Sequence, residues 1–517
     1  MLTGIILARD IGSSAKEYRA TYGRKFDPQD LPADKLTHVI YAFANISLTT
    51  GEVTLSDTWA DTKQCFPGDA CCGGPGDNLH GAFRQLYLLK KANRHLKVLL
   101  SVGGWTYSAN FSGPASLTDV GRSKFASTAV SLVKNLGLDG LDIDWEFPQN
   151  ETEAANMVLL LKSTRDALDA YGNSLSPPYH LQLTVACPAG RSNYQTLHLA
   201  EMDPYIDFWF LMAYNYVVDG SSVAGNQANL FPSTKDPAST PINTKDVISD
   251  YIASGATTAK IVLGMPLFGQ SFAATEGLGK PYIGVGSGTW EAGIYDFKTL
   301  PLAGAKENTD PNTGSCYSYD ATSREFISYD NVPVAKQKAA FIQQMKLGGA
   351  VWWESSADKV GSESLIQNVA EILGGSDGSG LECSQNQLSY PDSSYENLRA
   401  GIPGDECISV AARSSAVVED STSVPTASGT SVVSSHVVET QSMASAVVTS
   451  SNSLTASSGP QTHSPVSAMT TDSSAVSVGS ALSDTKSGVV AGESSNVPTA
   501  GEIDRPSCVL ANPRGLC

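Results

Sequence analysis

The chain has 517 residues, 41% of them hydrophobic and 17% charged, with a formal net charge of −18 at pH 7. That length permits a large core and two or three domains, and the acidity argues against nucleic acid or an anionic membrane surface as a partner. An uncharged polymer makes no such electrostatic demand, and no apolar run approaches the roughly 18 residues of a membrane-spanning helix.

In chain order, Gly4–Ala8 is a weak strand that runs into a polar Gly/Ser loop. Met1–Tyr18 shows no basic region followed by a long apolar one, the pattern of a secretion signal. From about residue 36 to residue 372 strand-like runs alternate with helical patterns, which is how repeated βα units read. Strands are expected at Thr37–Ala44, Leu96–Val102, Leu138–Trp145, Leu181–Ala186, Phe208–Ala213, Lys260–Met265 and Ala350–Trp353. In Glu151–Tyr171 the residues Ala154, Met157, Leu160 and Leu161 recur at helical spacing. Seven strands read clearly where a (β/α)8 TIM barrel would need eight; either Ile5–Leu7 serves as the first strand after a longer loop, or the sequence has lost its true start. Such barrels carry their sites at the C-terminal strand ends, where Trp105, Glu146, Tyr214 and Trp353 fall.

Residues 271–327 break the alternation and are rich in Gly, Tyr and Trp. The glycines of Gly284-Val285-Gly286-Ser287-Gly288 lack the Gly-Lys-Ser/Thr or strand–Gly–helix context of a nucleotide loop. Residues 376–408 read as a short Cys-containing extension, 409–506 as a Ser/Thr-rich disordered stalk with the composition of an O-glycosylated segment, and 507–517 as a Cys-containing tail. No Phe, Tyr or Trp follows Tyr395, so the stalk lacks the aromatic platforms of a carbohydrate-binding module. The C-terminus has no hydrophobic tail of the kind a lipid-anchor signal requires.

The nine cysteines include a cluster, Cys65, Cys71 and Cys72, and pairs flanking low-complexity sequence, Cys383/Cys407 and Cys508/Cys517. That usage suits a secreted or cell-wall protein. Cys187 sits in an apolar strand and reads as a core residue, and Cys71-Cys72 has no second ligand pair for zinc. Asn45-Ile46-Ser47, Asn110-Phe111-Ser112 and Asn150-Glu151-Thr152 match the N-glycosylation pattern.

Leu138-Asp139-Gly140-Leu141-Asp142-Ile143-Asp144-Trp145-Glu146 carries the chemistry. Strand alternation puts Asp142, Asp144 and Glu146 on one face, each within about 7 Å of the next. Partly desolvated carboxylates that close repel one another, which raises at least one pKa toward the range a general acid needs. The alternatives are a solvated edge face or a metal-binding acidic cluster. No His lies nearby and the Gly-turned loop of a calcium hand is absent, so neither metal nor cofactor is expected. Asp139, out of register with the other three, is expected to be structural.

The run Asp-x-x-Asp-x-Asp-x-Glu resembles the signature of glycoside hydrolase family 18, the chitinases. Leu99-Leu100-Ser101-Val102-Gly103-Gly104-Trp105, Phe210-Leu211-Met212-Ala213-Tyr214, Gly264-Met265-Pro266-Leu267-Phe268-Gly269 and Gly348-Gly349-Ala350-Val351-Trp352-Trp353-Glu354 resemble four further strand motifs of that family. The likeness spans about residues 19 to 400 and is similar to the fungal class V type. It implies a catalytic barrel over 1–375 with a small α+β insertion at 271–327, between barrel strands seven and eight, forming one wall of a deep cleft.

The resemblance further implies substrate-assisted retaining hydrolysis of β-1,4-N-acetylglucosamine links in chitin or chitooligosaccharides by a monomer. Glu146 would be acid and then base. Asp144 would bond Glu146 and the acetamido N–H, Asp142 would share charge with Asp144, and Tyr214 would steady the acetamido carbonyl. Trp353 would lie under the −1 sugar and Trp105 at the adjacent subsite, while Met212, Asn215, Tyr41 and Phe43 would complete the binding surface. Ser101 would bond the acidic row. Trp352 is divided between cleft and core. The sequence departs from the family at Asn215, where Asp is usual, and at Phe268 and Gln270, where Tyr and Arg are usual. A weak or silent chitin-binding lectin and an endo-β-N-acetylglucosaminidase are the alternative functions.

Overall fold

The computed structural model describes residues 3–8, 20–69, 77–375 and 378–402. The expected stalk at 409–506, the tail at 507–517 and Cys71, Cys72, Cys407, Cys508 and Cys517 lie outside them.

Every strand run expected from the sequence forms a strand, with bounds shifted by a residue or two. They are β2 (His38–Ile46), β4 (Lys97–Gly103), β5 (Gly140–Asp144), β6 (Gln182–Pro188), β7 (Phe208–Met212), β8 (Ile261–Pro266) and β14 (Gly349–Trp353). The eighth barrel strand is β1 (Thr3–Ala8). It pairs parallel with β14 on one side, Ile5 opposite Val351, and with β2 on the other, Ile5 opposite His38. With β1 in place the parallel order β1-β2-β4-β5-β6-β7-β8-β14 returns to β1, and the ring has no open edge. The short β3 (Val53–Leu55), antiparallel to β2, lies outside the ring and had no signal of its own in the sequence.

The period-two alternation sorts the side chains. Ile40, Ala42, Phe43, Leu99, Phe210, Val262 and Val351 fill the barrel interior, while Val39, Tyr41, Leu100, Leu141, Ile143, Trp209 and Trp352 pack outward into the layer shared with the helices. The helix expected at Glu151–Tyr171 runs over Glu151–Ser174, capped by the Asn150 side chain on the Glu153 N–H.

Between β8 and β14 the chain builds an antiparallel sheet from β9 (Phe268–Phe272), β10 (Ile294–Asp296), β11 (Lys306–Asp310), β12 (Ser315–Asp320) and β13 (Glu325–Tyr329), in the order β10-β9-β13-β12-β11. A charged cluster ties this insertion to the barrel. Arg24, in the β1–β2 connection, meets Glu354 at 2.6 Å and Asp296 at 3.1 Å, and its guanidinium lies 5.3 Å from the Trp290 ring centre.

Residues 378–402 are fastened to the N-terminal end of the barrel rather than hanging from it. Asn386 Nδ2 donates to the carbonyls of Lys90, Asn93 and Leu96, and Tyr390 donates to the carbonyl of Leu138. Beneath them Lys90 pairs with Asp139 at 2.7 Å, both fully buried. Asp139 also accepts from the main-chain N–H of Val98 and Gln387. The fourth carboxylate of the acidic run is therefore structural.

Candidate active site

Strand β5 delivers the acidic row. Leu141 and Ile143 face the helices, so Asp142 and Asp144 face the barrel axis, and Glu146 follows just past the strand end on the same parity. The row lies below and beside a cleft of about 700 Å³ at the C-terminal ends of the strands. Asp144, Glu146, Met212, Tyr214, Asn215, Trp105, Trp353 and Phe43 all line that cleft.

Asp142 is fully buried beneath it. Its Oδ2 accepts from Ser101 Oγ at 2.6 Å and its Oδ1 from Thr184 Oγ1 at 2.7 Å. Burial pushes its carboxyl up to about 6 against the pull of those two bonds. Asp144 is raised well above the usual carboxylate range, first by burial and then by the charges of Glu146 and Asp142. Its Oδ1 is buried and has no hydrogen-bond partner among the described residues. Burial pushes Glu146 up to about 7, opposed by a backbone hydrogen bond from Trp105. The three groups titrate as a linked set, and a carboxyl held near 7 can both give and take a proton at neutral pH.

The β4 end lies close against this row because it is made of glycine. Gly103 sits at φ +112°, where a Cβ would lie 2.2 Å from the Asp144 carbonyl oxygen, and a Cβ on Gly104 would lie 2.3 Å from the Phe43 ring. Tyr214 caps β7. Its phenol is raised well above the usual range by burial and by the Asp144 and Glu146 charges, so it stays neutral and can donate. Phe268 meets it edge-on at 5.9 Å. Phe43 and Trp353 stack at 5.9 Å with 18° between their planes, forming a flat apolar floor. The Trp105 indole is 73% exposed at the rim.

One expected contact fails. Tyr41 faces outward, packs at 4.5 Å on Phe83 and donates to Asp61 at 2.6 Å. Odd positions of β2 point away from the axis until the register slips between Ala42 and Ala44, and that slip turns Phe43 inward beside Ala42. Trp352 is fully buried in the outer layer, on the face opposite Trp353. Cys187 is likewise a buried outer-face residue.

Some site residues escaped the sequence reading. Thr184, a polar residue inside the apolar run of β6, was detectable on that ground. Glu291 and Ile294, on the insertion, line the cleft with no local signal to mark them. Of the glycosylation-pattern asparagines, Asn110 spends its amide on Asn45 Oδ1 and the Ile46 carbonyl, whereas Asn150 is exposed at its helix cap.

Known chitinases resemble the chain in sequence and in fold. Endochitinase 1 of Metarhizium robertsii is 46% identical over 378 residues, 73% of this chain and 87% of that protein. Chitinase 1 of Aphanocladium album is 45% identical over 381 residues, 74% and 88% of the two. The solved catalytic domain of psychrophilic chitinase B from Arthrobacter TAD20 superposes with a TM-score of 0.63 at 27% identity, covering 71% of this chain and 94% of that one. The model of the glycosyl hydrolases family 18 matches residues 14–358, and the chain belongs to that family.

Proposed function

We propose that this glycosidase is a chitinase that hydrolyses β-1,4-N-acetylglucosamine links with retention, using the substrate's own acetamido group. The observation that carries the reading is Glu146, held near neutrality at the end of β5 with Asp144 and Asp142 aligned beneath it. The endochitinase relatives support the substrate class.

In the first step the acetamido carbonyl oxygen attacks C1 and the glycosidic bond breaks. The leaving oxygen takes the proton of Glu146, and an oxazolinium ion remains on the sugar. The unpartnered Asp144 Oδ1 accepts the acetamido N–H, which orients the carbonyl toward C1. Tyr214 donates to that carbonyl as charge develops. Glu146, now a carboxylate, removes a proton from the water that attacks C1 from the face the leaving group vacated; the C1–oxygen bond of the oxazolinium breaks, the acetamido group is restored, and retention follows. Asp142, fixed by Ser101 and Thr184, adjusts the charge of Asp144 from below.

The Phe43–Trp353 floor presents an apolar face to the −1 sugar, and Trp105 does the same at the next subsite. Met212 and Asn215 complete the wall. The chain acts as a monomer, and the disulfide at Cys65 suits an oxidising compartment and secretion.

A fluorogenic chitotrioside assayed from pH 3 to 8, beside the Glu146→Gln variant, tests the reading. Activity in the parent and its loss in the variant is the expected result. A folded parent that binds chitin without cleaving it would make the protein a lectin.

A further inference from the structure

The loop after β4 grips the acid as well as lining the cleft. Ser108, 4% exposed, starts the turn that follows the short helix Gly104–Tyr107. Its Oγ accepts from the main-chain N–H of Glu146 at 2.6 Å and donates to the carbonyl of Asp144 at 3.3 Å. Those two groups bracket the point where β5 leaves the sheet. Toward β6 the pairing stops at Ile143 opposite Val185, and toward β4 at Gly103 opposite Asp144. Past that point the ladder no longer fixes the main chain, and the serine hydroxyl takes its place.

Three residues upstream, the Trp105 backbone hydrogen-bonds Glu146 while its indole stands exposed at the rim. One stretch, Trp105–Ser108, therefore holds the main chain and the carboxyl of Glu146 and displays a sugar platform.

We propose that Ser108 is a positioning residue for Glu146, fixing the strand end so that the carboxyl sits level with a glycosidic oxygen carried between Trp353 and Trp105. The proposal rests on Glu146 being the acid. A buried N–H left without its acceptor drives the strand end to rearrange. Displacement of a reacting group by about 1 Å lowers rates on the order of a hundredfold. The platforms are untouched, so binding should survive.

Ser108→Ala, Ser108→Thr, Ser108→Cys and Glu146→Gln, assayed on the same chitotrioside, decide the matter. Ser108→Ala should lose about ten- to a hundredfold in kcat with KM within about twofold of the parent. Its alkaline limb should move to higher pH, because a carboxylate drawn away from the Trp105 N–H is less stabilised. Ser108→Thr, which keeps the hydroxyl, should recover most of the rate.

Ser108→Cys, nearly isosteric but a poor hydrogen-bonder, should fall between them and serves if the alanine variant does not fold. Parent-like kcat in the alanine or cysteine variant would overturn the proposal, as would a loss confined to thermal stability. Activity retained by Glu146→Gln would instead remove the acid assignment itself. Loss there together with a parent-like Ser108→Ala would remove the positioning role alone.

Discussion

Asp142 never reaches the cleft surface, yet it sets a pH dependence for the whole fold. Its carboxyl is pushed from 3.8 up to about 6 in the native state, so folding favours the protonated form. The stability this contributes is complete below about 4 and is lost as pH rises through 6, on the order of 3 kcal/mol for a shift of that size. Asp142→Asn keeps both side-chain partners and does not titrate. Its thermal midpoint should therefore change less between pH 4 and pH 7.5 than the parent's, as read by calorimetry, and an equal change in the two would refute the assignment. Asn215 poses the opposite test. It sits at φ +57°, a conformation Asp also tolerates, so Asn215→Asp leaves the backbone alone and adds a negative charge to the wall that Glu146 shares. Such a charge stabilises a developing cation and holds the Glu146 proton more tightly. Turnover should rise and the alkaline limb should move up in pH. Identical rates and profiles for the two proteins would refute the charge argument.

At the scale of elements, the strap from 378 to 402 does work that its sequence conceals. Asn386 is a single polar residue in a Ser/Gln/Asn stretch, but its amide reaches three carbonyls, at 3.0, 3.1 and 2.7 Å, around the end of the helix Gly81–Ala92 and the entry to β4. Asn386→Ala removes this donor from the buried Lys90 and Leu96 carbonyls, while the Asn93 carbonyl keeps the Leu96 N–H, and should lower stability by about 1–3 kcal/mol in urea, with kcat per folded molecule unchanged. A fall in kcat at constant stability would mean that the strap acts on the site. The strands tell a related story. Tyr41 and Phe43 look equivalent in the sequence, two aromatics in one strand on the same parity. Only the register slip beside β4 separates them, and a slip belongs to the pairing of two strands, not to either one. The acidic row was legible because β5 runs without such a slip from Gly140 to Asp144, so parity alone placed its side chains.

At the scale of the molecule, the barrel exists because β1 closes it, and β1 is the strand whose sequence was least persuasive. A parallel barrel strand draws its stability from neighbours on both sides, here β14 and β2, so a short apolar run suffices where two open ladders await it. The insertion is held to the barrel by Arg24, Asp296 and Glu354, three charges drawn from three distant parts of the chain. The βα alternation, the interior face of each regular strand and the carboxylates on that face can be read from residue order, because these follow from a two-residue period and local composition. Tertiary structure alone decided the closing strand, the inward turn of Phe43, the strap on Asp139 and the grip of Ser108 on Glu146. Each of those depends on groups far apart in sequence finding one another's unpaired donors and acceptors, and no local pattern records such a meeting.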